Sequence, residues 1–145
     1  MSELLLAVYA YGNPAPQGSL RHVGGGRLID SSPRLRPWRA TVTAAARAAL
    51  AVTGQTTPHL GPVQVMAVAT MPKPKSAPKK TRTWPSKRPD VDKLGRALLD
   101  ALTDAKVWAD DSQVVELTAT KCWPDEHPLA LPIPGVYIQI WTVTE

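Results

Sequence analysis

The 145-residue sequence contains one cysteine, Cys122, so no disulfide can close within the chain, and a reducing cytoplasm is the expected setting. Cys122 falls at the end of a strand-like alternation and is expected to pack there rather than act as a nucleophile. No apolar run reaches the roughly 18 residues of a membrane span. The stretch Leu4 to Val8 also lacks the basic flank and the length of a signal peptide, which predicts a soluble protein with no membrane partner. No internal repeat is present. His22, His59 and His127 stand at no ligand spacing relative to one another, and Asp125-Glu126-His127 lies in a Pro-rich connection where a solvated loop is expected over a metal site. No small-molecule cofactor is expected.

The sharpest absence is local. Between Met71 and Pro89 there is no acid, but there are seven cations: Lys73, Lys75, Lys79, Lys80, Arg82, Lys87 and Arg88. The whole chain carries a formal charge of +5, so the remainder, with ten cations against twelve acids, is slightly acidic. Basicity is thus concentrated in one Pro-rich loop, residues 71–89, which is the footprint of a polyanion-binding surface. Trp84 stands inside this loop with cations on both sides. It is placed either to stack on an unpaired base or to fold back as a lid over the core.

The chain length fits one domain over residues 1–145, and 43% hydrophobic content supplies a modest core. Glu3 to Tyr11 predicts a first strand, stopped by Gly12-Asn13-Pro14. A hairpin with a loose tip follows around Gly24 to Gly26. Ser31-Ser32-Pro33 signals a helix start, and Trp38 to Val52 is an Ala-rich helical run closing at Gly54, with Trp38 and Leu50 as its anchors. Pro62 to Met71, Ser112 to Trp123 and Gly135 to Val143 predict three further strands. In the last, Val136, Ile138 and Ile140 alternate with Tyr137, Gln139 and Trp141, so that one face is buried and the aromatic face is free to meet another layer. The expected class is α+β, a small mixed sheet with two main helices packed on it.

The second helix carries the chemistry. In Arg88-Pro-Asp-Val-Asp-Lys-Leu-Gly-Arg-Ala-Leu-Leu-Asp-Ala-Leu102, the residues Val91, Leu94, Leu98, Ala101 and Leu102 recur at helical spacing. Asp92, Arg96 and Asp100 fall at i, i+4 and i+8 on another face. Pro89 favours an extended approach, which places Asp90 as N-cap and Asp92 in the first turn at the positive helix end. Asp110-Asp111 then supplies a second acidic pair just before the next strand. The spacing predicts that three or four carboxylates meet at one point. Converging carboxylates repel unless cations lie between them, and hard divalent ions such as Mg²⁺ take such oxygen ligands. Carboxylate-held Mg²⁺ beside a basic run is what phosphodiester hydrolysis needs.

These residues resemble the RusA-type Holliday junction resolvases of bacteria and their phages. The match consists of Asp90-Val-Asp92-Lys-Leu94, Arg96, Asp100-Ala-Leu102 and Asp110-Asp111-Ser-Gln-Val114, with the upstream turn Gly12-Asn-Pro-Ala-Pro16-Gln-Gly18 and the order of elements. The resemblance implies that Asp90, Asp92 and Asp111 are the metal-binding catalytic acids, with Asp110 as a further candidate ligand and Asp100 as supporting acid. It also implies a homodimer, and an excess of apolar surface on the Ala-rich helix and the last strand agrees with that. Lys93 stands where Asn is common, and Arg96 where a catalytically important Lys is common. Arg keeps the charge but not a readily donated proton, so a transition-state electrostatic role is retained. Arg21 matches a basic position of the N-terminal motif and is either a phosphate contact or an ordinary surface arginine.

The expected activity is therefore a Mg²⁺-dependent endodeoxyribonuclease, with Mn²⁺ as a substitute ion, that resolves four-way DNA junctions by paired nicks in the bacterial or phage-infected cell. Lys73, Lys75, Lys79, Lys80, Arg82, Trp84, Lys87 and Arg88 would hold the DNA. Two other readings are a junction- or single-strand-binding protein without chemistry, and a metal-dependent nuclease of flaps or RNA. The pair Asp110-Asp111 separates the first from the others, because a helix cap accounts for Asp90 and Asp92 but leaves Asp110-Asp111 without a structural reason.

Overall fold

The computed structural model describes residues 2–18, 20–22, 24–25, 28–30 and 33–144, with only the backbone described for 20–22 and 28–30. The elements are β1 (Leu4–Tyr11), β2 (Leu20–His22), β3 (Leu28–Asp30), α1 (Leu35–Thr53), β4 (Val63–Thr70), α2 (Val91–Asp104), a 3-10 turn (Asp111–Gln113), β5 (Val114–Cys122) and β6 (Gly135–Thr142). The α+β class expected from the sequence holds, as a four-stranded mixed sheet with two helices. The expected hairpin is also present as the antiparallel pair β2 and β3.

Helix α1 begins at Leu35, earlier than its Ala-rich run suggested. Pro37 sits in the first turn, where the missing N–H has no helical partner to lose. Ser31 and Ser32 lie outside the described residues. The helix ends as expected at Gly54, whose φ of 80° belongs to the left-handed region and whose N–H donates to the Leu50 carbonyl at 3.0 Å. Trp38 and Leu50 are its buried anchors.

The main sheet has the order β1-β6-β4-β5. β6 pairs antiparallel with β1 and with β4, whereas β4 and β5 run parallel. A parallel pair needs a long crossover, and α2 supplies it after the basic loop. Leu6, Val8 and Ala10 of β1, Val65 and Ala67 of β4, and Val136, Ile138 and Ile140 of β6 form one face of the sheet. They pack with Trp38, Val42, Ala46 and Leu50 of α1 and with Leu98, Ala101 and Leu102 of α2 in a single core. Thr43 Oγ1 donates to the Ala101 carbonyl at 3.0 Å where the two helices meet. A methyl added at Gly95 would lie 3.3 Å from Leu117 Cδ2 and 3.9 Å from Ala119 Cβ, so this glycine lets α2 settle closely on the edge strand β5.

The opposite face carries the aromatic row expected of β6, and no described helix covers it. The Tyr9 and Tyr137 rings lie 4.6 Å apart, Gln139 Nε2 donates to Tyr137 Oη at 2.7 Å, and Trp141 Nε1 donates to Gln139 Oε1 at 3.1 Å. Cys122 is buried at the end of β5 and donates to the Ala69 carbonyl at 3.7 Å, in the packing role expected of it.

The basic loop has little backbone hydrogen bonding of its own, as its prolines require. Side chains hold it instead. Lys73 Nζ lies 2.5 Å from Glu126 Oε2, Glu126 Oε1 accepts from the Thr83 N–H at 3.1 Å, and Trp123 Nε1 donates to Thr83 Oγ1 at 3.0 Å. Glu126 of the Asp125-Glu-His cluster is thus a staple for the loop. His127 is taken up locally too, its Nδ1 accepting from the Leu129 N–H at 3.0 Å.

The hydrogen bond from Lys73, with help from the Thr83 amide, holds the Glu126 carboxyl below its ordinary value of 4.5. A depressed carboxyl contributes stability that is full above the unfolded value and is lost as pH falls through the folded one. Acidification below about pH 4.5 should therefore release the loop. Glu126→Gln should do the same at neutral pH. Trypsin cutting at Lys79, Lys80 and Arg82 is the measurement: it should quicken several-fold in the variant while the melting temperature moves little.

Candidate active site

The first half of the site is the N-terminal end of α2. Asp90 occupies the N-cap position with extended backbone, φ −71° and ψ 139°, and its carbonyl closes the first turn by accepting from the Leu94 N–H at 3.1 Å. Its side chain makes no capping hydrogen bond, so the sequence-based cap is correct for the backbone and incorrect for the carboxylate. Asp90 and Asp92 are both exposed, at the helix end where unpaired N–H groups and the dipole favour negative charge. Arg96 is exposed one turn further on and joins no salt bridge among the described residues.

A residue overlooked in the sequence lies beneath this end. Lys121 Nζ donates to the Lys87 carbonyl at 2.9 Å and to the Pro89 carbonyl at 2.8 Å. The signal for it was phase: Leu117 and Ala119 turn toward α2, and Lys121 continues their row where an apolar residue would be expected. The Gly12–Gly18 segment reaches the same end, with the Gln17 N–H donating to the Lys93 carbonyl at 2.9 Å.

The second half lies at the other end of α2. Arg39 of α1 meets Asp104 at 2.8 Å and Asp100 at 3.8 Å, and Arg47 Nη2 donates to the Asp104 carbonyl at 3.2 Å. Asp100 is therefore tied to the helix–helix contact. Partial burial raises its carboxyl above the ordinary value and the charges of Asp111 and Asp104 add to the rise, against the opposing pull of Arg39 and Arg96. The turn after α2 is fixed by Trp108, fully buried, whose Nε1 donates to Thr103 Oγ1 at 2.7 Å.

Asp110 and Asp111 then divide. Asp110 caps the 3-10 turn, accepting from the Ser112 N–H at 2.9 Å, and that hydrogen bond holds its carboxyl below the ordinary value. Gln113 completes the capping box: its Oε1 accepts from the N–H groups of Ala109 and Asp110 at 2.9 Å each. Its Nε2 donates to the carbonyls of His59 and Gly61 at 2.8 and 2.9 Å. The expectation that a cap explains Asp90 while nothing structural explains Asp110 is thus inverted. Asp111, exposed and outside any salt bridge among the described residues, is the member of the pair left available.

One further correction concerns convergence. Asp92 and Asp100 are eight positions apart, about 12 Å along the helix axis, and Asp111 lies by the Asp100 end. Among the described residues of one chain, no three Asp, Glu, His or Cys side chains gather into a group that can hold a metal ion. The reason is topological. A crossover between parallel strands must travel the length of the sheet, so the chain enters α2 at Asp90 and reaches Asp110 at the opposite end. The donor chemistry of Asp90, Asp92 and Asp111, hard exposed carboxylate oxygens, fits Mg²⁺ or Mn²⁺. The single chain brings only Asp90 and Asp92 to a common end.

A groove of about 1120 Å³ opens beside Asp90, lined by Trp84, Lys87, Arg88, Lys93, Lys121 and a wall of prolines. Trp84 is 50% exposed, and the Arg82 guanidinium lies 4.6 Å above its ring. A second depression, about 740 Å³, is lined by Lys79, Lys80, Arg82 and the 124–128 segment. Lys73 is engaged by Glu126, whereas Lys75, Lys79, Lys80, Arg82, Lys87 and Arg88 join no salt bridge among the described residues. The side chain of Arg21 lies outside the described residues.

No curated protein matches the chain. A family model described as endodeoxyribonuclease RusA matches residues 12–140, a span that takes in the Gly12–Gly18 turn, the basic loop, α2 and the Asp110-Asp111 turn. With that match over most of its length, the chain belongs to the RusA endodeoxyribonuclease family, the Holliday junction resolvases.

Proposed function

We propose that the protein is a divalent-metal-dependent resolvase, with Mg²⁺ as the ion, that acts on four-way DNA junctions as a homodimer in the cytoplasm, each subunit nicking one of two symmetric strands. Each subunit is one catalytic domain over residues 1–145. The observation that carries this reading is the state of Asp90 and Asp92: two exposed, uncapped carboxylates at the positive end of α2, with Asp90 opening on a basic groove. A bound divalent cation supplies Lewis-acid stabilisation of the phosphate and lowers the pKa of a water.

The chain's own residues do the rest. Asp90 and Asp92 present the oxygen ligands, and Arg96, one turn away and in no salt bridge among the described residues, places a fixed positive charge toward the phosphate. Because Arg does not give up its proton, the leaving 3′-oxygen takes one from solvent, and the products carry 5′-phosphate and 3′-hydroxyl ends. The loop cations follow the DNA backbone, and Trp84 offers a stacking face.

The separated acids support the dimer. Asp111 lies at the end of α2 away from Asp90 and Asp92 within one chain, and a second copy would complete the set of three. A two-fold interface is isologous: if the acidic pair of one subunit meets Asp111 of the partner subunit, the reverse contact forms as well. Two equivalent sites then arise on one axis, which suits a substrate of near two-fold symmetry.

The reading as a whole is tested by comparing a labelled four-way junction with a linear duplex of the same sequence. Only the junction should be cut, in Mg²⁺ and not in chelator, and equal cutting of the duplex would refute the junction specificity. Asp→Asn at 90, 92 or 111 should lower nicking by orders of magnitude with junction binding in Ca²⁺ retained.

Mixing the inactive Asp92→Asn and Asp111→Asn proteins should restore nicking, because a mixed dimer pairs an intact Asp90–Asp92 with an intact Asp111 once. A cruciform plasmid would then be nicked and not linearised. Sites confined to single chains would give no recovery at all.

Replacing Lys79 and Lys80 with Ala should reduce the slope of log binding constant against log salt by about 0.9 for each phosphate no longer neutralised, with the rate at saturating DNA little changed. Arg96→Ala should cost on the order of 10² in rate, and Arg96→Lys should keep most of it. If Ala and Lys behave alike near the parent rate, Arg96 serves the helix only.

A further inference from the structure

We propose that Lys121 is a positioning residue for the active site: its ammonium clamps the backbone that delivers Asp90. This role rests on the proposed role of Asp90 and goes beyond it by bringing in a residue of a different strand. Lys121 Nζ reaches the carbonyls of Lys87 and Pro89 at 2.9 and 2.8 Å, so its two hydrogen bonds straddle Arg88 and end one residue before Asp90. Its own place is fixed by the sheet, where it pairs in register with Ala69 of β4.

The start of the same loop is held at the neighbouring residue, the Met71 N–H donating to the Cys122 carbonyl at 2.8 Å. Both ends of the basic loop are thus moored to adjacent residues of β5, one by main chain and one by the lysine side chain. The loop cannot easily replace that second mooring. Pro85 and Pro89 have no N–H, and the Asp90 side chain makes no cap bond that would hold the entry to α2 by itself. An apolar residue would satisfy the strand's inward phase at position 121. A lysine there also supplies charge-assisted hydrogen bonds, stronger than neutral ones, to two carbonyls.

Among the described residues, Lys121 joins no salt bridge. Its charge is therefore not neutralised by a carboxylate of the described structure, and it remains one residue away from the acid it positions. Lys121→Met keeps the length of the stem and removes the donors, Lys121→Gln keeps one donor group, and Lys121→Arg keeps charge and donors.

The test combines amide hydrogen exchange of the segment 86–93, without metal or DNA, with single-turnover nicking and with junction binding in Ca²⁺. Lys121→Met should speed exchange in that segment while β4 and β6 stay protected, since the mooring is local. Nicking should fall by about 10² for a displacement near 1 Å, with junction affinity falling far less than the rate. Lys121→Gln should lie between, and Lys121→Arg should restore most of both readouts.

Parent-like exchange together with parent-like nicking in Lys121→Met overturns the proposal. So does a fall in junction affinity equal to the fall in rate with exchange unaltered, which would make Lys121 a phosphate contact. Asp90→Asn run in parallel separates the two roles. If Asp90→Asn cuts at the parent rate, the role of Asp90 is wrong, and the exchange measurement alone then decides whether Lys121 holds the segment.

Discussion

Two strands that run the same way cannot be joined by a hairpin, and in this protein the parallel pair β4 and β5 is what everything else accommodates. The chain must leave the end of β4, travel back along the sheet and enter β5 from the far side. It does so through the basic loop and α2, so the loop, both acidic groups and Arg96 all belong to one crossover. The remaining elements brace it. β6 and β1 extend the sheet, α1 packs beside α2, and Gly95 allows the crossover helix to lie close on an edge strand that is otherwise open. The positions of the acids, Arg96 and the loop cations are therefore consequences of one pairing choice.

The same constraint explains how a loop rich in proline and positive charge is kept in place. Its cations repel one another and its prolines cannot donate, so neither Coulomb energy nor main-chain hydrogen bonding favours order. Order comes from outside the loop, in two anchors of different kinds. Glu126 neutralises Lys73 and takes up the Thr83 amide near the middle of the loop, and Lys121 takes up two carbonyls at its end. Each anchor matches the chemistry that the loop lacks at that point, a negative charge among cations and a donor among prolines. The other loop cations are left out of salt bridges among the described residues, which suits the phosphate contacts proposed for them.

Legibility in the sequence followed the range of the interaction. The spacing of Leu94, Leu98, Ala101 and Leu102 gave α2 correctly, and the alternation in Gly135 to Val143 gave β6 with the right residues inward, because each pattern needs only one element and one core. The acid-free stretch gave the basic loop for the same reason. Convergence of the carboxylates did not follow, since it depends on which end of the sheet each acid reaches, and spacing along the chain carries no topology. Lys121 was missed because its partners are carbonyls, which have no sequence identity. The capping role of Asp110 was not legible because a cap and a ligand ask for the same residue type, and only the Ser112 amide and the Gln113 side chain reveal the cap.

The charged stripe Asp92, Arg96, Asp100 then acquires a division of labour that its regular spacing conceals. At the positive end of the helix dipole Asp92 is unpaired with any described cation, while toward the negative end Asp100 is partly buried and leans on Arg39. Asp104 shares that arginine, and Asp111 adds a third negative charge at the end where the helix dipole is already negative. Arg39 and Arg96 oppose this concentration of charge, and Arg47 takes up the Asp104 carbonyl beside them. In the proposed dimer, the same two-fold that supplies Asp111 to the acidic pair of the partner subunit brings a cation to this end of α2. In that proposed dimer one contact would complete the ligand set and offset the negative charge gathered at this end of α2.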